Sequence, residues 1–143
     1  MQPDAPQPRP RFRLPRRMRL AKRRQFDAVY RGGAKTAVGP LVAWAAPNDL
    51  GHWRLGLAVS RRVGTAPARN RLRRLLRESF RLLQHEMPAG PSGTGGYDVV
   101  VGAHPHEPLP RERYQGMLLE AMRRLERRWT NRSGTMDAGE PGG

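Results

Sequence analysis

Four short segments of the chain alternate apolar and polar positions or are continuously apolar, which is typical of β-strands. They are residues 34–38, which are only weakly marked, and residues 41–46, 53–60 and 97–103. In the second segment, Val42 and Trp44 lie on one side, opposite Leu41, Ala43 and Ala45. The turn sequence PNDLG separates the second and third segments. The pattern therefore predicts four strands, of which the second carries two different faces.

Three longer segments place apolar residues at helical spacing. They are residues 21–33, 67–83 and 108–129. The first has Phe26 and Tyr30 on one face and Gly32 at its end, and the second has Thr65 as a candidate cap with Pro67 in its first turn. Together with the strands, the order is α-β-β-β-α-β-α. This order favours an α+β fold in which helices pack on a small mixed sheet.

The two ends of the chain differ in composition from the part between them. Residues 1–14 alternate proline with polar and basic residues, and residues 131–143 are rich in glycine and polar residues. Segments of this kind bury too little apolar surface to fold, so we predict two disordered tails. Residues 15–130 are predicted to form a single domain. Within it, residues 87–96 are predicted to be a flexible loop.

The net charge of the chain indicates which class of partner it binds. The chain has 27 basic and 12 acidic residues, so its formal charge is +15. A polyanion is the expected partner, with nucleic acid favoured over an anionic membrane surface. The sequence has no cysteine, so we expect no disulfide-linked partner, and no apolar run approaches the roughly 20 residues that span a bilayer. We expect a cytoplasmic protein without a membrane partner.

The segment at residues 67–83 concentrates this charge on one side of a helix. At 100° per residue, its apolar positions share one face: Ala68, Leu72, Leu75, Leu76, Phe80 and Leu83. Asn70, Arg74, Arg77 and Arg81 form a stripe on the opposite face, without acidic partners at i+4 spacing. A solvated surface helix is the alternative, but uncompensated repulsion favours a face that binds a nucleic acid.

The same segment carries a family resemblance. Residues 60–81, SRRVGTAPARNRLRRLLRESFR, are similar to the signature of the protein component of bacterial ribonuclease P. In that family a strand ends in a Ser-Lys-Lys-like element, followed by Val/Ile-Gly and a helix that opens with Arg-Asn-Arg. The segment RLAKRRQFDAVYRGG matches a second, weaker pattern of the family. The resemblance covers roughly residues 17–129.

The resemblance implies a fold, an activity and partners. The implied fold is that of the second domain of ribosomal protein S5, with a left-handed βαβ crossover that departs from the usual right-handed rule. The implied activity is endonucleolytic removal of the 5′ leader from precursor tRNA, with hydrolysis carried by an RNA subunit and its Mg²⁺. The implied partners are the ribonuclease P RNA subunit and precursor tRNA. The protein alone is expected to bind no cofactor and to be inactive.

The resemblance also divides the candidate site residues into two sets. The RNA-subunit set is Arg17, Arg19, Arg61, Arg62, Arg69, Asn70, Arg71 and Arg74. The leader set is Phe26, Tyr30, Val42, Trp44, Arg73 and Arg77. Without the family, the four apolar members of the leader set are read more simply as core residues. We interpret Trp53 and Trp129 as core residues in either case.

Candidate catalytic groups in the chain are few, and we predict neither a catalytic residue nor a metal site. Asp27, Glu78 and Asp98 are isolated in their segments, whereas a two-metal nuclease needs clustered carboxylates. The pair His85-Glu86 lacks the second histidine of a zinc protease, and the HPH at residues 104–106 has no third ligand nearby. The alternatives to a ribonuclease P subunit are a basic ribosomal or RNA-assembly protein and, less favoured, a protein that coats DNA or an anionic membrane.

Overall fold

Seven helices and strands follow one another in the order that the hydrophobic pattern predicts. The computed structural model describes residues 14–86 and 96–137. The elements are α1 (Arg23–Gly32), β1 (Ala34–Val38), β2 (Leu41–Pro47), β3 (Arg54–Ala58), α2 (Ala66–Leu82), β4 (Tyr97–Ala103) and α3 (Arg111–Asp137). The α+β class and the weakly marked strand β1 are therefore confirmed.

The four strands form one mixed sheet in the order β1-β2-β4-β3. β1 and β2 form an antiparallel hairpin, in which Gly39 has the positive φ of 57° that the first position of a two-residue turn needs. β2 pairs with β4 antiparallel, whereas β3 pairs with β4 in parallel. The chain therefore crosses from β3 to β4 through α2. The left hand of this crossover stays a prediction.

One face of the sheet is covered by α2 and α3, and the main core lies there. The odd-numbered residues of β2, Leu41, Ala43 and Ala45, point into this core, as the alternation predicts. Phe80 of α2 is fully buried in it. Thr65 caps α2, because its hydroxyl accepts a hydrogen bond from the backbone N–H of Ala68 at 3.3 Å. Packing and capping together hold α2 against the sheet.

Both tryptophans that we assigned to the core lie there. Trp53 is buried, and its ring packs on Tyr97 at 4.7 Å between centroids. Trp129 is half-buried against the core, and its indole N–H donates to the Ala45 carbonyl at 2.7 Å. Ala68 differs from the prediction, since it lies on the apolar side of α2 but is exposed near the first turn.

The opposite face carries a much smaller cluster. Leu20, Val29 and Val100 are buried there, with Phe26 and Trp44 only partly buried against them. Val29 belongs to α1, which is the one helix on this side of the sheet among the described residues. This face is therefore only partly closed.

The predicted limits of the domain are wrong at two points. Leu14, which we placed in the N-terminal tail, is 1% exposed and belongs to the main core. Its apolar side chain buries itself although its neighbours are proline and arginine. α3 continues to Asp137, past the predicted end at residue 130, because an established helix gains a hydrogen bond with each added residue. The rest of both predicted tails, and residues 87–95 of the predicted loop, lie outside the described residues.

Candidate nucleic-acid interface

The partly closed face of the sheet has a floor that the strand register defines. Residues paired across neighbouring strands lie side by side on the same face. Val42 pairs with Ala37 on β1 and with Gly102 on β4, and Gly102 pairs with Ala58 on β3. These four residues form a row of small side chains across the sheet. The floor is therefore flat, and it is exposed at its two ends, Ala37 and Ala58.

Helix α1 forms an aromatic wall along this floor. The ring of Phe26 lies over Gly56 so closely that a Cβ atom added to that glycine would come within 2.7 Å of the ring. At the other end of α1, Tyr30 meets Trp44 edge to face, with centroids 5.0 Å apart and planes at 86°. Tyr30 is 41% exposed, and Phe26 and Trp44 are half-buried. Aromatic surface therefore remains accessible beside the floor.

A group of three arginines closes the cleft at the β3 edge. Arg19, Arg73 and Arg77 line a cavity of about 140 Å³ together with Phe26 and four leucines. The backbone holds Arg19 at this edge, because Arg19 forms an isolated parallel β-bridge with Leu55 of β3. Arg73 reaches the same edge from α2. Its guanidinium donates to the Val59 carbonyl at 3.4 Å and to the Asn70 side-chain oxygen at 3.0 Å.

The electrostatics of this group favour an anion. Burial, followed by the positive charges of Arg19 and Arg73, lowers the pKa of Arg77 from its usual value. Within residues 14–86 and 96–137, the ion pairs with carboxylates involve other arginines: Arg23, Arg54, Arg111, Arg124 and Arg127. Three like charges thus converge without a carboxylate to neutralise them in the described structure. A phosphate group would supply the missing negative charge.

The first half of α2 presents a second basic surface, which faces away from the core. Arg71, Arg74 and Asn70 are exposed there. Arg61 and Arg62 are exposed as well, in the 3-10 turn Arg61–Val63 that precedes the helix. We call these residues, with Arg69, the α2 surface. Its repeated charge fits the phosphate backbone of a folded RNA.

Arg69 differs from its neighbours on the α2 surface. It is half-buried, and its guanidinium donates to the Gly64 carbonyl at 2.9 Å. Gly64 has a φ of 155°, so this bond holds an unusual turn in front of the helix. Arg69 therefore has a structural contact besides any contact with RNA.

The structure regroups one of the predicted site residues. Arg19, which we assigned to the RNA-subunit set, lies beside Arg73 and Arg77 of the leader set. Arg17 is exposed in the 3-10 turn Arg16–Met18, and its carbonyl lies 3.1 Å from the imidazole of His52. The assignments to one RNA or the other stay predictions. The leader set itself is brought together as one cleft.

Sequence reasoning missed Lys35. Its ammonium lies 5.4 Å from the centroid of the Trp44 ring, on the β1 side of the cleft. The residue belongs to the strand that the hydrophobic pattern marked only weakly, and the alternation alone did not reveal its neighbour on β2. Only the pairing of β1 with β2 places Lys35 opposite Trp44.

The HPH motif has a structural role. His106 lies 2.8 Å from the His104 carbonyl through Nδ1, and 2.7 Å from the Tyr114 hydroxyl through Nε2. It thereby ties the loop after β4 to the first turns of α3. Across residues 14–86 and 96–137, no group of three or more His, Cys, Asp or Glu side chains is arranged to hold a metal ion. In the same residues, each helix is too short or too polar to cross a membrane.

The cleft and the α2 surface can be compared with known proteins. The family model for ribonuclease P matches residues 14–126. The ribonuclease P protein component of Desulfovibrio desulfuricans is 35% identical over 122 residues, which cover 82% of this chain and 89% of that protein. That of Photobacterium profundum is 44% identical over 75 residues, 52% of this chain. This second match spans 64% of the relative, less than two thirds of its length.

Solved structures of ribonuclease P proteins share the fold. The protein from Thermotoga maritima superimposes with a TM-score of 0.66 at 29% identity, over 76% of this chain and 97% of that one. The protein from Staphylococcus aureus gives a TM-score of 0.60 at 25% identity, over 74% of this chain and 93% of that one. The match at residues 14–126 contains every residue of the cleft and of the α2 surface. The chain belongs to the ribonuclease P protein family.

Proposed function

We propose that this chain is the protein subunit of a ribonuclease P holoenzyme, an endoribonuclease that removes the 5′ leader from precursor tRNA in the cytoplasm. In this proposal the α2 surface binds the RNA subunit, and the cleft between α1 and the sheet binds the leader. Hydrolysis belongs to the RNA subunit and the Mg²⁺ of the complex. The protein contributes affinity and position.

The observation that carries the proposal is the composition of the cleft. It offers the half-buried rings of Phe26 on α1 and Trp44 on β2, its floor is a row of small residues, and its β3 edge holds three arginines. Single-stranded RNA is bound in this way, because every base has a face that can stack and every nucleotide has a phosphate. Such a cleft accepts leaders of different sequence. A subunit that serves many precursor tRNAs requires that tolerance.

The position of α2 supports a division of labour between two RNAs. Arg71 and Arg74 face outward, whereas Arg73 and Arg77, on the same helix, reach the cleft. One helix therefore borders both proposed binding surfaces. An RNA subunit bound to the outer side would hold its active site at a fixed distance from the leader. Fixing two reactants in this way is a recognised source of rate enhancement.

The decisive experiment compares the protein with and without the RNA subunit. We expect the purified protein plus ribonuclease P RNA in Mg²⁺ to cut precursor tRNA at the mature 5′ end. We expect no such cut from RNA-free protein. Cleavage at that site by protein from which all RNA has been removed would contradict the proposal, and so would an RNA subunit whose binding of precursor tRNA is unaffected by the protein.

The RNA that co-purifies with the protein gives an independent check. We expect ribonuclease P RNA to be enriched when the chain is isolated from its host. Enrichment of ribosomal RNA alone would instead favour a ribosomal or assembly protein. A variant with Arg71→Ala and Arg74→Ala serves as the control, because it should fold but retain less RNA.

A further inference from the structure

Lys35 marks the end of the cleft that lies farthest from the three arginines. It is exposed on β1, an edge strand of the sheet, and its ammonium lies 5.4 Å from the centre of the Trp44 ring. That distance is within the range of a cation–π contact. None of the carboxylate ion pairs found in residues 14–86 and 96–137 includes it. Its charge is therefore available to an anion from solution.

The register places Lys35 and the arginines at opposite ends of one row. Lys35 pairs with Trp44 on β2, Trp44 with Val100 on β4, and Val100 with Gly56 on β3. Phe26 covers Gly56, and beyond it lies the cavity of Arg19, Arg73 and Arg77. Because neighbouring strands lie about 4.8 Å apart, the three intervals from β1 to β3 span roughly 14 Å. The cleft thus has positive charge at both edges of the sheet and aromatic rings between them.

We propose that Lys35 forms a second phosphate-binding position in this cleft, opposite the three arginines, so that the single-stranded leader crosses the sheet from the arginines to Lys35. This inference rests on the proposed function and adds to it the direction and the length of the bound segment. The ammonium has three N–H donors and sits next to a ring on which a base can stack. A nucleotide stacked on Trp44 would present its phosphate to Lys35.

The width of the sheet limits the number of nucleotides in the bound segment. Stacked nucleotides advance about 3.4 Å each along a strand, and unstacked ones advance farther. A span of roughly 14 Å therefore holds at most about four nucleotides. The contacts with the arginines and with Lys35 should accordingly become available at different leader lengths, separated by one to about four nucleotides.

The test is a series of precursor tRNAs whose leaders grow one nucleotide at a time, bound by the holoenzyme. Lys35→Ala should weaken binding by about 2- to 5-fold, which is the effect of losing one exposed charge contact. The loss should appear only above a threshold length. Arg73→Ala should show a different threshold, and the two should differ by no more than about four nucleotides. Mature tRNA should bind both variants normally.

Two further variants separate a phosphate contact from a structural effect on Trp44. Lys35→Arg should restore binding, and Lys35→Met, which keeps the apolar stem, should not. The salt dependence of log affinity for long leaders should become shallower by about 0.7 in Lys35→Met, the value for one phosphate of a single strand. Arg123→Ala is the matched control, because Arg123 is exposed on α3, which covers the other face of the sheet.

The outcomes also separate this inference from the proposed function. If the unmodified holoenzyme binds precursors of every leader length as it binds mature tRNA, both proposals are wrong. If Arg73→Ala loses leader affinity while folded Lys35→Ala and Lys35→Met match the unmodified protein at every length, only the role of Lys35 is wrong. Equal losses for precursor and mature tRNA would also overturn that role.

Discussion

The two faces of the sheet are formed by alternate residues of the same strands, yet helices cover one face fully and the other only in part. On one face, α2 and α3 enclose a continuous core in which Phe80, Val99 and Leu118 are wholly inaccessible to solvent. On the other, α1 packs on a cluster of three buried residues and leaves Phe26 and Trp44 half-buried beside it. The closed face contains most of the apolar area that the fold buries. The open face exposes aromatic rings and collects like charges at its β3 edge.

Stability and binding are therefore located on different faces of the sheet in this fold. Burial of apolar area is the main favourable term in folding, so the closed face should dominate the free energy of unfolding. Half-exposed rings and neighbouring arginines add little to stability and can even lower it. They are the features that bind single-stranded nucleic acid. Substitutions on the closed face should therefore mainly lower the free energy of unfolding. Substitutions on the open face should mainly weaken binding of single-stranded nucleic acid.

Replacing a phenylalanine by alanine on each face should change the free energy of unfolding by very different amounts. Phe80→Ala should lower the free energy of unfolding by about 3–5 kcal/mol, because it leaves a cavity in a fully packed core. Phe26→Ala should lower it by no more than about 2 kcal/mol, because the ring is only partly buried. Urea titrations of both variants measure the difference. Equal losses would show that the two faces are equally important for stability.

A smaller effect on binding is expected at the α2 surface. Arg71→Ala combined with Arg74→Ala should make the salt dependence of log affinity for the RNA subunit shallower by about 1.4–1.8, or about 0.7–0.9 for each lost phosphate contact. The variant leaves Arg69 in place, because that residue also holds the Gly64 turn. Its melting temperature should be unchanged. An unchanged slope in the folded variant would contradict the assignment of this surface to RNA.

The smallest expected effect is a gain in stability on the open face. Arg77→Met should raise the free energy of unfolding by a few tenths of a kcal/mol, because it removes a half-buried charge that Arg19 and Arg73 repel. The same variant should bind leader-bearing precursor more weakly. Urea titration and leader-dependent binding test the two halves separately. A loss of stability would show that the arginine group is not under repulsion.

Local patterns predicted much of this structure. The spacing of apolar residues gave the order of the elements, and Thr65 and Pro67 marked the start of α2 within a residue. The alternation in β2 placed Ala43 and Trp44 on opposite faces, as they are. These features depend on neighbours in sequence, so a single chain contains the information. The family resemblance added the grouping of Phe26 with Trp44.

The features that sequence reasoning missed depend on contacts between distant segments. Leu14 is a core residue because it meets residues far along the chain, and nothing in its own neighbourhood indicates that. Arg19 joins Arg77 only because the backbone at residue 19 lies along β3. Lys35 meets Trp44 through the register of a hairpin whose first strand had a weak pattern. Register and edge contacts cannot be read from periodicity alone.

Binding of the leader by the open face is tested by Trp44→Ala. Stacking of one base contributes about 1–3 kcal/mol, and about 1.4 kcal/mol corresponds to tenfold in affinity. The holoenzyme with Trp44→Ala should therefore bind leader-bearing precursor tRNA roughly 5- to 150-fold more weakly and bind mature tRNA almost normally. A thermal melt should show that the variant is folded. A folded variant that loses affinity equally for precursor and mature tRNA would contradict leader binding by the open face.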